Sequence, residues 1–95
     1  MDHEIIWDET KAALNVHKHG ISFEEAKTVF ADPLAIISED KVHSIGERRE
    51  IIIGHSVNNQ LVFVAFTERG NVIRIISARE STRKERRDYE ENAFD

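Results

Sequence analysis

Basic side chains are concentrated towards the end of the sequence, although the chain as a whole carries a net charge of −5 at pH 7. The segment 74–87, RIISARESTRKERR, holds six basic residues in fourteen positions. Residues 69–87 include seven basic residues and two glutamates, so this stretch carries a net charge of +5 and the rest of the chain −10. A domain divided in this way can offer a basic surface to phosphate. It can equally carry a solvated helix whose charges pair with one another.

Four arginines in this region are candidates for binding a phosphate group. Metal-free RNA cleavage needs a base for the 2′-OH proton, cations around the phosphorane-like transition state, and an acid for the departing 5′ oxygen. Arginine suits the second role because its planar guanidinium binds phosphate oxygens bidentately and stays charged. We predict that four converge: Arg69 in a turn, Arg74 on a strand, Arg79 at the end of that strand and Arg83 in the first turn of the last helix. The alternative for Arg74 is an ordinary exposed strand arginine.

A second polar group, HSIGERR at 43–49, precedes a long apolar strand. It supplies His43, a residue type that titrates near neutral pH, and the carboxylate of Glu47. These two are the acid–base candidates, and which of them is base or acid stays open. Arg48 is a candidate contact to the RNA backbone. The alternative is a polar hairpin loop with Gly46 in its turn, and the segment taken alone favours this alternative.

Several other kinds of site find no support in the sequence. There is no cysteine, which excludes disulfides and thiolate chemistry. His17 and His19 are two positions apart, so on a helix they diverge and cannot share a metal. Neither a phosphate-binding glycine loop nor a nucleophile elbow is present. We therefore expect no metal and no cofactor. No apolar run can span a bilayer and no secretion signal is evident, so a cytoplasmic protein is expected.

The elements that must position these residues begin with two helices. Asp8 is a good N-cap for a helix running to about His19, which Gly20 ends. The capping box SFEE, at 22–25, opens a second helix that stops at Asp32-Pro33. Because almost no loop separates the two helices, we predict a helix hairpin. The residues predicted to face the core are Leu14, Phe23 and Phe30.

Strands follow, and then one more helix. The candidate strands are residues 34–38, 50–55, 61–67 and 72–78, separated by short turn signals such as Asn58-Asn59. Short consecutive connections imply a four-stranded antiparallel meander. A second capping box, TRKE at 82–85, opens a helix to about Asn92, whose apolar residues (Tyr89, Ala93 and Phe94) are too few for a continuous core stripe. The predicted fold is α+β, in one domain covering residues 1–95.

The sequence resembles the BrnT-type toxins along nearly its whole length. The matching elements in the first half are Trp7-Asp8, Lys11, Asn15, Lys18-His19-Gly20, Phe23-Glu24-Glu25-Ala26 and Phe30-Ala31-Asp32-Pro33. Those in the second half are His43-Ser44, Gly46-Glu47-Arg48, Ile53-Gly54, Thr67-Glu68-Arg69-Gly70, RIISAR at 74–79, Thr82-Arg83, Glu85-Arg86 and Tyr89. Glu80 departs from the family pattern, which usually has a basic residue there, and the acidic pI is also unusual for a ribonuclease toxin.

The resemblance implies a RelE-like fold and a metal-independent endoribonuclease of a type II toxin–antitoxin system. It also implies growth arrest, neutralisation by a ribbon-helix-helix antitoxin, and repression of the operon through the antitoxin's contact with operator DNA. The expected catalytic residues are Arg79, Arg69, Glu47 and His43. The expected RNA contacts are Arg74, Arg83, Lys18 and Arg48, and the expected antitoxin contacts are Arg86, Arg87 and Tyr89.

Two other functions compete with this one. The chain could be a protein-interaction module without useful catalysis, acting as a co-repressor through a DNA-binding partner. It could also bind nucleic acid directly, but no recognition-helix motif is present and no aromatic residues interleave with the basic run. Cleavage of RNA by the isolated chain distinguishes the first alternative from the enzyme.

Overall fold

The computed structural model describes residues 3–93, which fold around one five-stranded sheet. Its elements, in chain order, are β1 (Glu4–Ile6), α1 (Glu9–His19), α2 (Phe23–Thr28), a 3-10 turn (Val29–Ala31), β2 (Ile36–Glu39), β3 (Arg49–His55), β4 (Leu61–Arg69), β5 (Val72–Glu80) and α3 (Arg83–Ala93). The α+β class is confirmed. In the part of the chain described, no helix is long and apolar enough to cross a membrane.

Local signals placed the helix ends correctly. The Asp8 side chain accepts a hydrogen bond from the Lys11 N–H, and Gly20 closes α1 in the left-handed conformation, with φ of 73°. At α3 both halves of the capping box form, because the Thr82 hydroxyl accepts from the Glu85 N–H while the Thr82 N–H donates to the Glu85 carboxylate. At α2 only the serine half forms; the Glu25 carboxylate instead accepts from the Ser56 hydroxyl.

The sheet differs from the predicted four-stranded meander. The strand order is β1-β5-β4-β3-β2, and β2 to β5 form the antiparallel meander. The additional strand, β1, pairs in parallel with β5 through Glu4–Ile6 and residues 72–74. The sheet is therefore mixed, and the prediction of a purely antiparallel sheet was wrong. The three residues of β1 are too few to show the alternation by which a strand is recognised in a sequence.

The predicted helix hairpin was also wrong in its packing. The main contacts of both α1 and α2 are with β5 rather than with each other. Phe23 is fully buried and Phe30 packs against the core, but the Leu14 side chain is 63% exposed. Because α1 lies beside an edge of the sheet, its buried side is the one carrying Ala12 and Asn15, and Leu14 points away from it.

Asn15 fixes α1 to the edge of β5 beyond the point where β1 ends. Its amide donates to the Ala78 carbonyl at 2.8 Å and to the Ile21 carbonyl at 2.9 Å, and its carbonyl oxygen accepts from the Ala78 N–H at 3.1 Å. The side chain thus makes the pair of bonds that a neighbouring strand would have made. It satisfies buried backbone groups of β5 that have no strand partner there.

The two faces of the sheet are covered differently. The first face packs against α1, α2 and the 3-10 turn, and its core includes Phe23, Val64, Phe66 and Ile75. The second face holds a smaller cluster in which Tyr89 of α3 packs against Ile53, Leu61 and Phe63. Because α3 is the only helix on the second face among residues 3–93, part of that face remains open to solvent. Of the four phosphate-binding candidates, Arg69 and Arg74 lie at this open part, whereas Arg79 lies under α3 and Arg83 lies on α3.

Candidate active site

A row of polar side chains crosses three neighbouring strands on the open part of the second face. In the sheet register Arg49 of β3 is opposite Thr67 of β4, and Thr67 is opposite Arg74 of β5. Directly paired residues project from the same face. Alternation along β5 correctly predicted that Arg74 points away from Ile73 and Ile75, which are buried in the first face. The register between strands, which the sequence does not give, places Arg49 and Thr67 on the same face as Arg74.

Two adjoining cavities lie over this row, with volumes of about 390 and 220 Å³. Glu47, Thr67 and Arg74 line both of them. The smaller cavity is completed by Lys11, His43, Ile45, Arg49 and Ile76, and the larger by Ile6, Arg69 and Val72. We refer to the two cavities together as the basin. It brings together His43, Glu47, Arg69 and Arg74, which the sequence had predicted as site residues.

The loop at 40–48 carries the acid–base candidates to the edge of the basin. The Ser44 hydroxyl accepts from the Arg49 N–H at 2.9 Å and donates to the Asp40 carbonyl at 2.6 Å, so both ends of the loop are fixed to one side chain. The His43 Nδ1 lies 2.8 Å from the Asp40 carboxylate. Burial alone would raise the pKa of Asp40, but hydrogen bonds from His43 and the nearby charges of His43 and Arg49 hold it below its usual value.

Glu47 is paired with Arg69 across the mouth of the basin. The Arg69 guanidinium donates to the Glu47 carboxylate, and 85% of the arginine side chain and 49% of the glutamate side chain are exposed. Exposed ion pairs of this kind contribute about 0–1 kcal/mol to stability. The pair can therefore open at little cost when an anionic ligand competes for Arg69. In the closed pair, Glu47 is an acceptor already occupied by a cation.

Three cations of the basin have no such partner. Within the part of the chain that the structure describes, Lys11, Arg49 and Arg74 have no carboxylate oxygen within 4.0 Å of their charged nitrogens. Two of them are guanidiniums on β3 and β5, the strands on either side of β4, and Thr67 of β4 lies between them in the register. Cations that line one cavity and have no salt-bridge partner attract an anion of high charge density, such as phosphate.

Arg79 lies outside the basin, on the half of the second face that α3 covers. Its guanidinium lies 3.8 Å from the centre of the Phe63 ring, and both Nη atoms donate to the Glu85 carboxylate at 2.9 Å. Burial alone would raise the pKa of Glu85, but the bonds from Arg79 and Thr82 hold it below its usual value. Arg79 thus joins β5 to α3 through a bidentate ion pair. Its predicted catalytic role stays a prediction.

The remaining predicted residues lie around the rim or on α3. Arg48 is exposed, with its guanidinium 4.0 Å from the Glu39 carboxylate, and Lys18 is exposed near the end of α1. Arg83, Arg86 and Arg87 are exposed on α3. Tyr89 is only 5% exposed and faces the sheet, so a partner can reach it only if α3 moves. None of these residues lines the basin.

Tyr89 fixes α3 through a shared carboxylate. Its hydroxyl donates to Asp32 at 2.7 Å, and the same Asp32 oxygen accepts from the His55 N–H at 2.8 Å. Burial alone would raise the pKa of Asp32, but hydrogen bonds from His55, Leu34 and Tyr89 hold it below its usual value. For Tyr89, burial and the Asp32 charge act together and raise the pKa to about 12.

The Tyr89 hydrogen bond predicts a loss of stability in alkaline solution. Because the folded-state pKa lies above the ordinary value of 10.0, the stabilisation is complete below pH 10 and is lost as the pH rises towards 12. The free energy of unfolding should fall by about 2–3 kcal/mol over that interval. In Tyr89→Phe this contribution should be absent. Urea unfolding of both proteins from pH 8 to 12 measures the difference, and parallel curves for the two would contradict it.

Sequence reasoning missed three polar residues of the basin as site residues. Lys11, Arg49 and Thr67 were noted as members of motifs and given no role. The signal for Arg49 was available in part, because it directly precedes an apolar strand at the end of HSIGERR. For Thr67 and Lys11 there was none, since their place depends on the register and on the position of α1. Within residues 3–93, no group of three His, Asp or Glu side chains is arranged to hold a metal ion.

The chain and its fold belong to a known class, the ribonuclease toxins of type II toxin–antitoxin systems. Residues 7–85 match the family described as "Ribonuclease toxin, BrnT, of type II toxin-antitoxin system", so the chain is a member of the BrnT family. Membership implies an RNA target and an antitoxin partner. No match is found among curated proteins.

The chain is also similar to a solved structure of that family. The ribonuclease toxin BrnT of Brucella abortus, known from a crystal structure at 1.1 Å resolution, superposes with a TM-score of 0.65 at 25% sequence identity. The match covers 85% of this chain and 99% of that one. The resemblance predicted from the sequence is thereby confirmed.

Proposed function

We propose that this chain is a metal-independent endoribonuclease that cleaves RNA in the basin on the second face and thereby arrests growth. The observation that carries the proposal is the convergence of Lys11, Arg49 and Arg74, which lack carboxylate partners among residues 3–93, beside His43 and Glu47. A phosphodiester bound there would have cations on its non-bridging oxygens and titratable groups within the same cavity. Those are the parts that transesterification by the 2′-OH requires.

In the proposed reaction the 2′ oxygen attacks phosphorus and the bond to the 5′ oxygen breaks. His43 and Glu47 are the candidates for taking the 2′ proton and returning one to the leaving oxygen, and Arg69 joins the phosphate ligands when its pair with Glu47 opens. The opening matters because it frees two groups at once: the carboxylate becomes available to accept the 2′ proton, and the guanidinium becomes available to the phosphate. The products are a 2′,3′-cyclic phosphate and a 5′-hydroxyl.

The proposal is tested with purified protein and a structured RNA in the presence of a chelator. Cleavage that persists without divalent metal, gives cyclic phosphate ends and is lost in Glu47→Ala and Arg74→Ala supports it. Expression of the same three proteins in a bacterium, with mapping of RNA ends, then tests growth arrest. Unimpeded growth and intact RNA with stably folded wild-type chain would count against an enzyme.

A non-catalytic interaction module is the second candidate, and one observation favours it. Of the four residues predicted to be catalytic, three have their charges matched, because Arg69 and Glu47 pair with each other and Arg79 pairs with Glu85. In this alternative the chain acts with a DNA-binding partner and cleaves nothing. RNA that stays intact, together with partner-dependent repression of the operon, would support this alternative over the enzyme.

For the antitoxin we propose a ribbon-helix-helix protein with an acidic segment that docks on α3. Arg83, Arg86 and Arg87 project from consecutive turns of that helix and are all exposed, so they form a continuous basic surface. Operator DNA would be bound through the antitoxin. Reversing the charges in Arg86→Glu with Arg87→Glu should weaken the complex at least about tenfold by calorimetry. Lys27→Glu, an exposed charge on α2, is the matched control.

A further inference from the structure

Ile45 is the most exposed large apolar side chain among residues 3–93, with 89% of its surface in water. It does not lie on a loosely held loop. The Ser44 hydroxyl bonds to the backbone of Asp40 and Arg49, and the Asp40 N–H donates to the Arg49 carbonyl at 2.9 Å. On the other side, Gly46 turns the chain with φ of 82°. The loop therefore presents this isoleucine to solvent instead of folding it onto the core.

The position of Ile45 distinguishes it from other exposed apolar residues. It lines the smaller cavity of the basin together with Ile76, and Arg49 and Arg74 line the same cavity. Val42 lies in the same loop and is 77% exposed, but it does not line the basin. The smaller cavity thus combines cations for an anion with two aliphatic side chains that a phosphate alone would leave unused.

A nucleotide has both kinds of surface. Its phosphate matches the guanidiniums, and its base has two apolar faces that lose contact with water when they are covered. In single-stranded RNA the bases can be turned out of the stack, and aliphatic side chains are among those that enter between base steps. An isoleucine held in water beside a phosphate site is placed to cover such a base.

We propose that Ile45 and Ile76 form a nucleobase subsite, in which Ile45 covers the base of a nucleotide next to the scissile phosphate. This inference rests on the proposed function, and it deepens it by assigning a substrate requirement: a base must be present at one position beside the cleaved bond. Ile45 then favours cleavage at places where that base is free to leave the stack. The phosphate ligands hold every sequence equally, because the backbone carries no base information.

The test is a cycle of two changes, one in the protein and one in the RNA. The RNA is a single-stranded oligonucleotide containing one site that the wild type cleaves, with a 2′-deoxy sugar at that site to prevent cleavage. Partner oligonucleotides lack the base at one nucleotide on either side of the bond. Affinities are measured by fluorescence anisotropy for the wild type, Ile45→Ala and Val42→Ala.

The wild type should bind the intact oligonucleotide about tenfold more tightly than the version lacking the base at the subsite. In Ile45→Ala this ratio should fall below about twofold, while Val42→Ala should keep the wild-type ratio. Ile45→Phe, which retains a large apolar surface, should preserve or increase it. Because Ile45 is exposed, the thermal midpoint of each variant should stay at the wild-type value.

Three outcomes would overturn the subsite. Both affinities could be unchanged in Ile45→Ala, or both could fall by the same factor, which would mean that Ile45 acts on the backbone or on the loop. Removal of the base could also have no effect at any position in the wild type. In all three cases the wild type still cleaves RNA, so the proposed function survives. A wild type that neither binds nor cleaves RNA overturns both.

Discussion

Arg74→Ala is expected to lower the rate of RNA cleavage by about 100- to 1,000-fold, the range observed when one preorganised donor to a developing charge is removed. Arg74 is a guanidinium on a strand in the middle of the basin, with no salt bridge to another described residue. Its position is fixed by the sheet and its charge is directed at the ligand alone. Loss of the side chain should therefore reduce transition-state stabilisation and leave folding unaffected, with stability within about 0.5 kcal/mol of wild type.

Arg49→Ala should show a loss of similar size, because Arg49 flanks Thr67 from the opposite strand. Arg86→Ala serves as the matched control: it removes an exposed arginine from α3, outside the basin, and cleavage should stay within about twofold of wild type. Single-turnover rates with excess enzyme separate the chemical step from RNA binding. Full activity in both Arg49→Ala and Arg74→Ala would show that the phosphate is bound elsewhere.

Asn15→Ala is expected to destabilise the fold by about 2–4 kcal/mol, although Asn15 is a polar residue on a surface helix. Three hydrogen bonds disappear, and the N–H and carbonyl of Ala78 are left in a buried edge without a partner. A buried backbone group without a partner costs about 1–3 kcal/mol. Urea unfolding followed by circular dichroism measures the change. RNA cleavage at low temperature, where the variant is still folded, should be nearly normal.

Leu14→Ala provides the control on the neighbouring position of the same helix. Its side chain is 63% exposed, so its removal should change stability by less than about 0.5 kcal/mol. An apolar residue would then matter less than the amide beside it, which is the reverse of what residue types alone suggest. If Leu14→Ala were the more damaging change, the placement of α1 along β5 would have to be revised.

The sequence predicted those features of the fold that depend on neighbours along the chain. Asp8 and Gly20 cap the two ends of α1, and Thr82 with Glu85 caps the start of α3. These caps were predictable because they are short-range hydrogen bonds. The strand β1 was missed because three residues carry almost no periodic signal, and its pairing partner is in β5. Leu14 was placed in the core because the sequence shows an apolar residue on a helix and does not show which side of that helix meets the sheet.

For the candidate site, too, the sequence predicted only what depends on neighbours along the chain. Alternation along β5 correctly predicted that Arg74 points away from the apolar core, since that depends only on the period of a strand. Arg49 and Thr67 could not be added without the register between strands. Arg79 shows the opposite limit: its type and position suggest a phosphate ligand, but Glu85 caps α3 and also accepts both of its Nη atoms. The spacing TRKE shows the capping role of Glu85 but not its bonds to Arg79.

The parallel pairing of β1 with β5 has a consequence for the order in which the toxin forms. Ile5 pairs with Ile73, and Asn15 bonds to Ala78, so both contacts join residues more than sixty positions apart. A ribosome must deliver residues 72–78 before either contact can close. Contacts so distant in sequence slow folding, because the entropy of a long loop is lost before they form. The chain is thus expected to complete its basin late in synthesis or afterwards, once β1 and α1 have docked on β5.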